Sequence, residues 1–151
     1  MPVQRTLVLL KPDAVQRGLA GEILARFERK GLRIVGLQQV IASVAQATSH
    51  YAEHAAKPFF PEILKFITSS PLVAVALEGD SAIAVARALI GATDGRAAVP
   101  GTIRGDFGLS KSNNLVHGSD SPESATRELA IWFPSGTLAW TKTDSIWTET
   151  P

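Results

Sequence analysis

The chain of 151 residues contains no cysteine, which excludes disulfide bonds, thiolate nucleophiles and cysteine-ligated zinc. Long apolar runs are absent too. The apolar stretch at 7–10 is too short for the core of a secretory signal, and no stretch approaches the roughly 18 residues of a membrane span. These absences predict a protein of a reducing compartment without a membrane segment, and we expect it in the cytoplasm.

The chain has no large excess of positive or negative charge. Its 15 lysines and arginines are balanced by 14 aspartates and glutamates, for a net charge of +1. This balance provides no general surface for a polyanion, so nucleic acid is not an expected partner. Any anion site must come from a local cluster of basic side chains. The hydrophobic fraction of 45% predicts one globular domain over residues 1–151, with 134–151 as a C-terminal tail.

The glycine-rich loops that bind phosphates in many proteins are also missing. Neither G-x-x-x-x-G-K-[ST] nor G-x-G-x-x-G occurs in the chain. No H-E-x-x-H motif occurs either, and no histidines and carboxylates have a convincing zinc spacing, so no resident metal site is predicted. If the protein binds phosphates, side chains must therefore do most of the holding.

Apolar patterning predicts alternating strands and helices. Continuous apolar runs favour strands at 6–10, 32–41 and 71–77. Helical spacing and end signals favour helices at 19–30, 47–56, 61–68, 82–90 and 122–132, the last two capped by Ser81 and Ser121. Residues 92–116 lose the pattern, and a loop of that length is usually functional or mobile. The alternation indicates an α/β or α+β fold, with helices packed on one sheet.

Three histidines are candidates for chemistry. His50 and His54 lie four residues apart on a predicted helix, and without a third ligand a solvated helix face is the favoured interpretation. His117 follows the apolar pair Leu115-Val116 and precedes Gly-Ser-Asp and a helix start. That context places an imidazole at the end of a strand, beside the positive end of a helix dipole. It is either a structural loop histidine or a nucleophile that accepts a phosphoryl group.

Basic residues occur where they could assist such a nucleophile. Lys11 ends the first strand, Arg87 lies in an otherwise apolar helix and Arg104 lies in the long loop, with Thr93 near it in sequence. Each alone is more often a surface charge, but together they could clamp a polyphosphate. Phe59 is either a core residue or a stacking face for a base.

At this point the chain resembles nucleoside diphosphate kinases over residues 5–147. Any one shared motif is weak, but their order and spacing are highly specific. The motifs are Lys11-Pro12-Asp13 with Val15-Gln16-Arg17-Gly18, Gly21-Glu22-Ile23, His50-Tyr51, Pro58-Phe59-Phe60, Gly91-Ala92-Thr93, Pro100-Gly101-Thr102-Ile103-Arg104-Gly105-Asp106-Phe107 and Asn114-Leu115-Val116-His117-Gly118-Ser119-Asp120.

The resemblance implies an α+β fold, a ferredoxin-like βαββαβ antiparallel sheet covered by helices in a single domain. It implies ping-pong transfer of the terminal phosphate from ATP or another nucleoside triphosphate to a nucleoside diphosphate, which maintains the NTP and dNTP pools. Mg²⁺ would be carried by the nucleotide phosphates. Family members are hexamers or tetramers, so a homo-oligomer is expected, with the hexamer favoured.

The resemblance also implies roles for individual residues. His117 would be phosphorylated on Nδ1, while Ser119 and Glu128 would orient its ring. Phe59 would stack on the base, which explains a broad tolerance of bases. The phosphates and the sugar would be contacted by Lys11, Tyr51, Arg87, Thr93, Arg104 and Asn114.

Three positions depart from the family. Asn113 replaces a usual arginine, Lys111 a usual aliphatic residue near the base, and Gly95 a proline found in many members. They bear on base preference and subunit contacts and remove no catalytic group.

Two rival functions are disfavoured. A non-catalytic nucleotide-binding relative would be expected to have lost His117 first. A phosphohydrolase would need an extra base to activate water, and no obvious one is present.

Overall fold

A computed structural model describes residues 2–151 and contains one four-stranded antiparallel sheet with the strand order β2-β3-β1-β4. The strands are β1 (Val3–Leu10), β2 (Arg33–Val40), β3 (Leu72–Asp80) and β4 (Val116–Gly118). The helices are α1 (Pro12–Gln16), α2 (Ala20–Lys30), α3 (Val44–His50), α4 (Phe60–Ile67), α5 (Ala82–Ile90), α6 (Ile103–Phe107) and α7 (Pro122–Trp132). The predicted ferredoxin-like α+β class is confirmed by this topology.

The central strands are apolar on both faces because helices cover both sides of the sheet. On β1, Leu7 and Leu9 face one core while Val8 and Leu10 face the other, and all four are fully buried. Helices α2 and α5 pack on the side of Val8, and α3, α4 and α7 pack on the side of Leu7. This two-sided burial explains why the strands lack the polar alternation of a half-exposed sheet.

The helix predicted at 47–56 was placed wrongly. The helix that forms is α3, which ends at His50 and is followed by a 3₁₀ turn over Ala52–His54. Its start is fixed by a capping box, in which Ser43 accepts from the Gln46 amide and Gln46 accepts from the Ser43 amide. The S-x-x-Q signal was present in the sequence and was overlooked.

The helix starts at 82 and 122 were predicted correctly, but only one of the two caps was. Ser121 caps α7 through its side chain, which accepts from the amide of Ser124. Ser81 instead adopts a left-handed backbone with φ 51° and makes no side-chain cap. The carboxamide oxygen of Gln4 accepts from Ile83 N in its place, so a residue far away in sequence completes this helix start.

The long loop contains more order than its composition predicted. Helix α6 forms within it, capped by Thr102, whose hydroxyl accepts from the amide of Gly105. Gly95 packs against the backbone of Gly108, and a Cβ at Gly95 would lie 2.5 Å from the Gly108 carbonyl carbon. The glycine that departs from the family pattern is therefore required by this close approach.

The C-terminal tail packs on the edge strand β2. The amide of Leu138 donates to Val35 O, and the indole of Trp140 donates to Ile34 O, next to an irregularity in the β2–β3 register. No helix within residues 2–151 is long and apolar enough to cross a membrane.

Candidate active site

His117 lies in the middle of the short strand β4, where it pairs with Leu9 of β1. Ser119, two residues after His117, extends this pairing because its amide donates to Leu7 O. The imidazole is only 22% exposed. The backbone around the ring is therefore held by the fully buried half of the central strand β1.

Helix α7 supplies the partner of this imidazole. The carboxylate of Glu128, which is 4% exposed, lies 2.9 Å from Nε2 of His117. The same carboxylate oxygen accepts from the hydroxyl of Ser119 at 2.6 Å. One carboxylate oxygen of Glu128 thus links the imidazole of His117 to the hydroxyl of Ser119.

The ionisation of Glu128 determines the tautomer of His117. Burial favours the neutral acid, but the hydrogen bonds from His117 and Ser119 outweigh it and hold the pKa of Glu128 below its ordinary value. An ionised carboxylate only accepts hydrogen bonds, so Nε2 must carry the proton. In the neutral ring Nδ1 is then unprotonated, and its lone pair is available to a substrate.

His50 packs against His117 from the end of α3. The two ring centroids are 4.5 Å apart at an interplanar angle of 80°. His50 is 3% exposed, and its Nδ1 accepts from the indole of Trp132 at 3.1 Å. Burial, and then the neighbouring His117, lower the pKa of His50 to about 3. A neutral ring is therefore placed beside the candidate nucleophile.

The expectation that His50 and His54 form a solvated helix face is wrong. His50 is buried between Trp132 and His117, and the helix ends before His54 is reached. The adjacent pair His50-Tyr51 in the family motif was the one sequence signal for this position. Its burial depends on Trp132, which lies 82 residues away.

His50, His117 and Glu128 are the one set of three potential metal ligands found among residues 2–151, with donor atoms within 4.8 Å of one another. The indole of Trp132 can only donate, so Nδ1 of His50 must be an acceptor and its proton must be on Nε2. A protonated Nε2 cannot bind a metal. The hydrogen bonds of His50 therefore do not fit a metal site formed by these three residues.

Lys11, Asn114 and Thr93 are joined by hydrogen bonds beside the histidine. The ammonium group of Lys11 donates to Oδ1 of Asn114 at 2.8 Å, and Nδ2 of Asn114 donates to Thr93 O at 3.1 Å. Burial, and then the charge of Arg104, lower the pKa of Lys11 to about 8, against the opposing charge of Asp13. With this pKa the ammonium group of Lys11 loses its charge in mildly alkaline solution.

Arg104 is almost fully buried and binds three carbonyl groups. Its guanidinium donates to the carbonyl oxygens of Asn114, Gly91 and Val116. Burial, and then Arg87, lower the pKa of Arg104 to about 10, so the group remains a cation near neutral pH. Two of its five N–H groups bind the backbone that precedes His117 and a third binds Gly91, which leaves two for an anion.

Arg87 approaches the same region from α5. Its guanidinium donates to Gly118 O at 3.3 Å, one residue beyond His117. Lys11, Arg87 and Arg104 therefore surround β4 and its preceding turn, as a clamp for phosphates requires.

A row of rings leads from His117 to the exposed Phe59. Each ring lies close to the next one in the row. The distances between consecutive ring centroids are 4.5 Å (His117–His50), 4.7 Å (His50–Tyr51), 6.4 Å (Tyr51–His54) and 5.8 Å (His54–Phe59). Phe59 is 45% exposed and is therefore not a core residue. Burial, reinforced by Glu128 and Asp13, raises the pKa of Tyr51, so its phenol stays protonated and can donate.

The structure brings together nearly all the residues predicted for the site. Lys11, Asn114, His117, Ser119 and Glu128 are linked by direct contacts or by the turn that joins them. Thr93 contributes through its carbonyl, while its side chain is exposed.

Two of the three departures from the family, Lys111 and Asn113, are exposed. The amide of Asn113 donates to the hydroxyl of Ser110 in a local turn. Neither side chain contributes a hydrogen bond to the histidine and its partners.

Comparison with known proteins identifies close relatives. A model of the nucleoside diphosphate kinase family matches residues 4–138. A nucleoside diphosphate kinase of Nocardioides sp. is 64% identical over 130 residues, covering 86% of this chain and 96% of the relative. One of Archaeoglobus fulgidus is 51% identical over 146 residues, covering 96% of this chain and 97% of the relative.

A solved structure gives the same result. A halophilic nucleoside diphosphate kinase from Halobacterium salinarum, in complex with CDP, superposes with a TM-score of 0.95 at 44% identity. The match covers 99% of this chain and 100% of that chain.

The hydrogen bond to Glu128 makes a prediction about the imidazole itself. We expect nitrogen NMR near neutral pH to show His117 with a protonated Nε2 and an unprotonated Nδ1. Glu128→Gln leaves a neutral amide that no longer favours a proton on Nε2, so the fraction of the other tautomer should rise. Glu123→Gln, at an exposed site on the same helix, is the control. An Nδ1–H tautomer in the wild type would contradict the assignment.

Proposed function

Since this chain belongs to the nucleoside diphosphate kinase family, we propose that it works by a ping-pong mechanism through a phosphohistidine at His117. The chain is a nucleoside diphosphate kinase, a phosphotransferase that acts on nucleotides. A first nucleoside triphosphate, normally ATP, phosphorylates the enzyme, and a nucleoside diphosphate then removes the phosphoryl group. Through this exchange the enzyme maintains the NTP and dNTP pools.

The observation that carries the proposal is the hydrogen bond between Nε2 of His117 and Glu128, which leaves the Nδ1 lone pair available. In the first half-reaction the Nδ1 lone pair forms a bond to the γ-phosphorus. The bond from that phosphorus to the bridging oxygen breaks, and its electron pair leaves with the diphosphate. The ring gains positive charge as this happens, and the anionic Glu128 stabilises it without a proton transfer. The second half-reaction reverses these steps with a new diphosphate.

The phosphate clamp consists of Lys11, Arg87 and Arg104, with Tyr51, Thr93 and Asn114 as neutral partners. Phosphoryl transfer needs positioning and charge stabilisation more than covalent chemistry, and cations held in a partly buried site supply both. Arg104 can bind an anion without moving far, because its three carbonyl contacts already fix its position. Lys11 and Asn114 also meet the ribose hydroxyls in this proposal.

Phe59 stacks on the base. Its exposure and its place at the end of the row of rings from His117 support this role. Stacking needs no contact with base edges, so all common bases are accepted.

Mg²⁺ enters on the nucleotide phosphates. Glu128 is committed to His117 and Ser119, which supports an ion held by phosphates rather than by a protein cage. The ion neutralises phosphate charge during transfer.

The enzyme works as a homo-oligomer in the cytoplasm, with the hexamer favoured over the tetramer. Exposed apolar side chains support self-association, among them Leu37 and Ile41 at or beside the edge strand β2, and Val99 and Leu109 in the long loop.

The phosphoenzyme is the central test. Incubation with ATP alone should add one phosphoryl group to the intact protein, in a linkage that is labile to acid and stable to base. His117→Ala should abolish it and lower transfer to diphosphates by a factor on the order of 10⁴ to 10⁶. Intact mass and transfer to dTDP, dCDP and GDP are the measurements.

His54→Ala is the matched control and should still be phosphorylated. Transfer at the normal rate by His117→Ala would refute the mechanism. Steady hydrolysis of ATP without an acceptor would favour a phosphohydrolase, and nucleotide binding without either reaction would favour a non-catalytic protein.

The lowered pKa of Lys11 predicts a pH dependence. Phosphates bind the ammonium form, so ADP affinity should fall as pH rises through about 8, by up to about tenfold per pH unit. Phosphate monoesters are already fully ionised there, since their second pKa is about 6. Lys11→Arg keeps a cation over this range, so its affinity, although lower, should stay flat in calorimetric titrations up to about pH 9. An unchanged alkaline fall in Lys11→Arg would assign the titration to another group.

The stacking role of Phe59 predicts a loss shared by all nucleotides. Phe59→Ala should weaken binding of ADP, GDP and dTDP to a similar extent, by about 5-fold to 150-fold. Phe59→Trp should retain binding, since it keeps an aromatic face. A loss confined to one base in fluorescence or calorimetric titrations would show recognition of base edges instead.

A further inference from the structure

The turn that leads into β4 has an unusual backbone. Leu115 is fully buried and has a φ of 72°, in the left-handed region that favours glycine. The amide of Val116 donates to Asn114 O at 2.8 Å, which closes a three-residue turn centred on Leu115. A bulky residue adopts this conformation only when its surroundings hold it there.

Both backbone groups of Leu115 and the carbonyls on either side of it have specific partners. The carbonyls of Asn114 and Val116 accept from Arg104, and the carbonyl of Leu115 accepts from the amide of Lys11. The amide of Leu115 donates to Oδ2 of Asp13 at 3.0 Å. The other partners are the guanidinium of Arg104, which is a proposed phosphate ligand, and a backbone amide. Asp13 differs from both because it contributes a side chain that has no proposed contact with phosphate.

Asp13 places a negative charge within the proposed phosphate site. Its charge acts on Lys11, Arg104 and Tyr51, which are all proposed to meet phosphates. An anion at this position repels a nucleotide, and Oδ1 of Asp13 is buried with no hydrogen-bond partner among residues 2–151. A buried carboxylate oxygen without a partner is costly, so the presence of Asp13 needs a compensating role.

We infer that Asp13 is a positioning residue, whose hydrogen bond to the amide of Leu115 holds the left-handed turn that sets Asn114 and His117 against the substrate. Asn114 is the first residue of the turn, and His117 directly follows its last residue, Val116. Loss of the bond lets the turn relax and moves Nδ1 of His117 relative to the Lys11–Asn114 pair. The inference rests on the proposed phosphohistidine mechanism and adds a residue to it.

Two conservative variants separate this bond from the charge. Asp13→Asn keeps the size and an acceptor oxygen but removes the charge. Asp13→Glu keeps the charge but moves the acceptor by one methylene. Asp80→Asn and Asp80→Glu are matched controls, because Oδ2 of Asp80 accepts from the amide of Thr150 outside the site.

The measurement is the rate constant and the amplitude of phosphoenzyme formation in a single turnover with ATP, at a pH well below the pKa of Lys11. Asp13→Glu should react about 10-fold to 100-fold more slowly than the wild type, and Asp13→Asn within about 5-fold of it. Both should reach full amplitude, and the Asp80 controls should match the wild type. If Asp13→Glu does not fold, Asp13→Ala replaces it, because alanine also removes the acceptor.

The outcomes separate the two proposals. A wild-type enzyme that forms no phosphoenzyme refutes the phosphohistidine mechanism itself. If the wild type is phosphorylated and Asp13→Asn is as slow as Asp13→Glu or slower, the inference about Asp13 is overturned and its charge is the relevant property. A lower amplitude with an unchanged rate constant also overturns it, because that is the effect of a residue that only stabilises the fold.

Discussion

The hydrogen bond between Nε2 of His117 and the buried carboxylate of Glu128 is the interaction on which the rest of the site depends. It selects the tautomer and leaves Nδ1 without a proton in the neutral ring. It can exist only if β4 and α7 are held in a fixed relation. Pairing of β4 with the buried strand β1 fixes one side, and the Ser121 cap of α7 fixes the other.

The second constraint is that side-chain cations must bind the phosphates, because the chain has no glycine-rich loop. Lys11 and Arg104 are kept partly desolvated, and each lies near an arginine, Arg104 for Lys11 and Arg87 for Arg104, which lowers the pKa of both. Such cations interact strongly with an incoming phosphate because little water screens them. The carbonyl contacts of Arg104 and the amide oxygen of Asn114 keep these groups satisfied before a ligand arrives.

Prediction from sequence worked where local physics dominates. The strands at the centre of the sheet were recognisable because burial on both faces makes them continuously apolar. Helix starts with a serine and a proline, as at Ser121-Pro122, were equally clear. The short strand β4 was seen only as an apolar pair, since a three-residue strand is defined by its partner β1 and carries no period of its own. The predicted cap at Ser81 was wrong for a similar reason, because the group that accepts from the start of α5 belongs to Gln4.

The sequence by itself determined the family and the fold class, and it named the candidate residues of the site, since the order and spacing of its motifs carry that information. Only the tertiary structure decided what those residues do to one another. His50 became a buried neutral ring through Trp132, Arg104 became a backbone brace, and Asp13 became the partner of the Leu115 amide. Such properties depend on burial and on contacts between residues far apart in the chain, neither of which is encoded in local spacing.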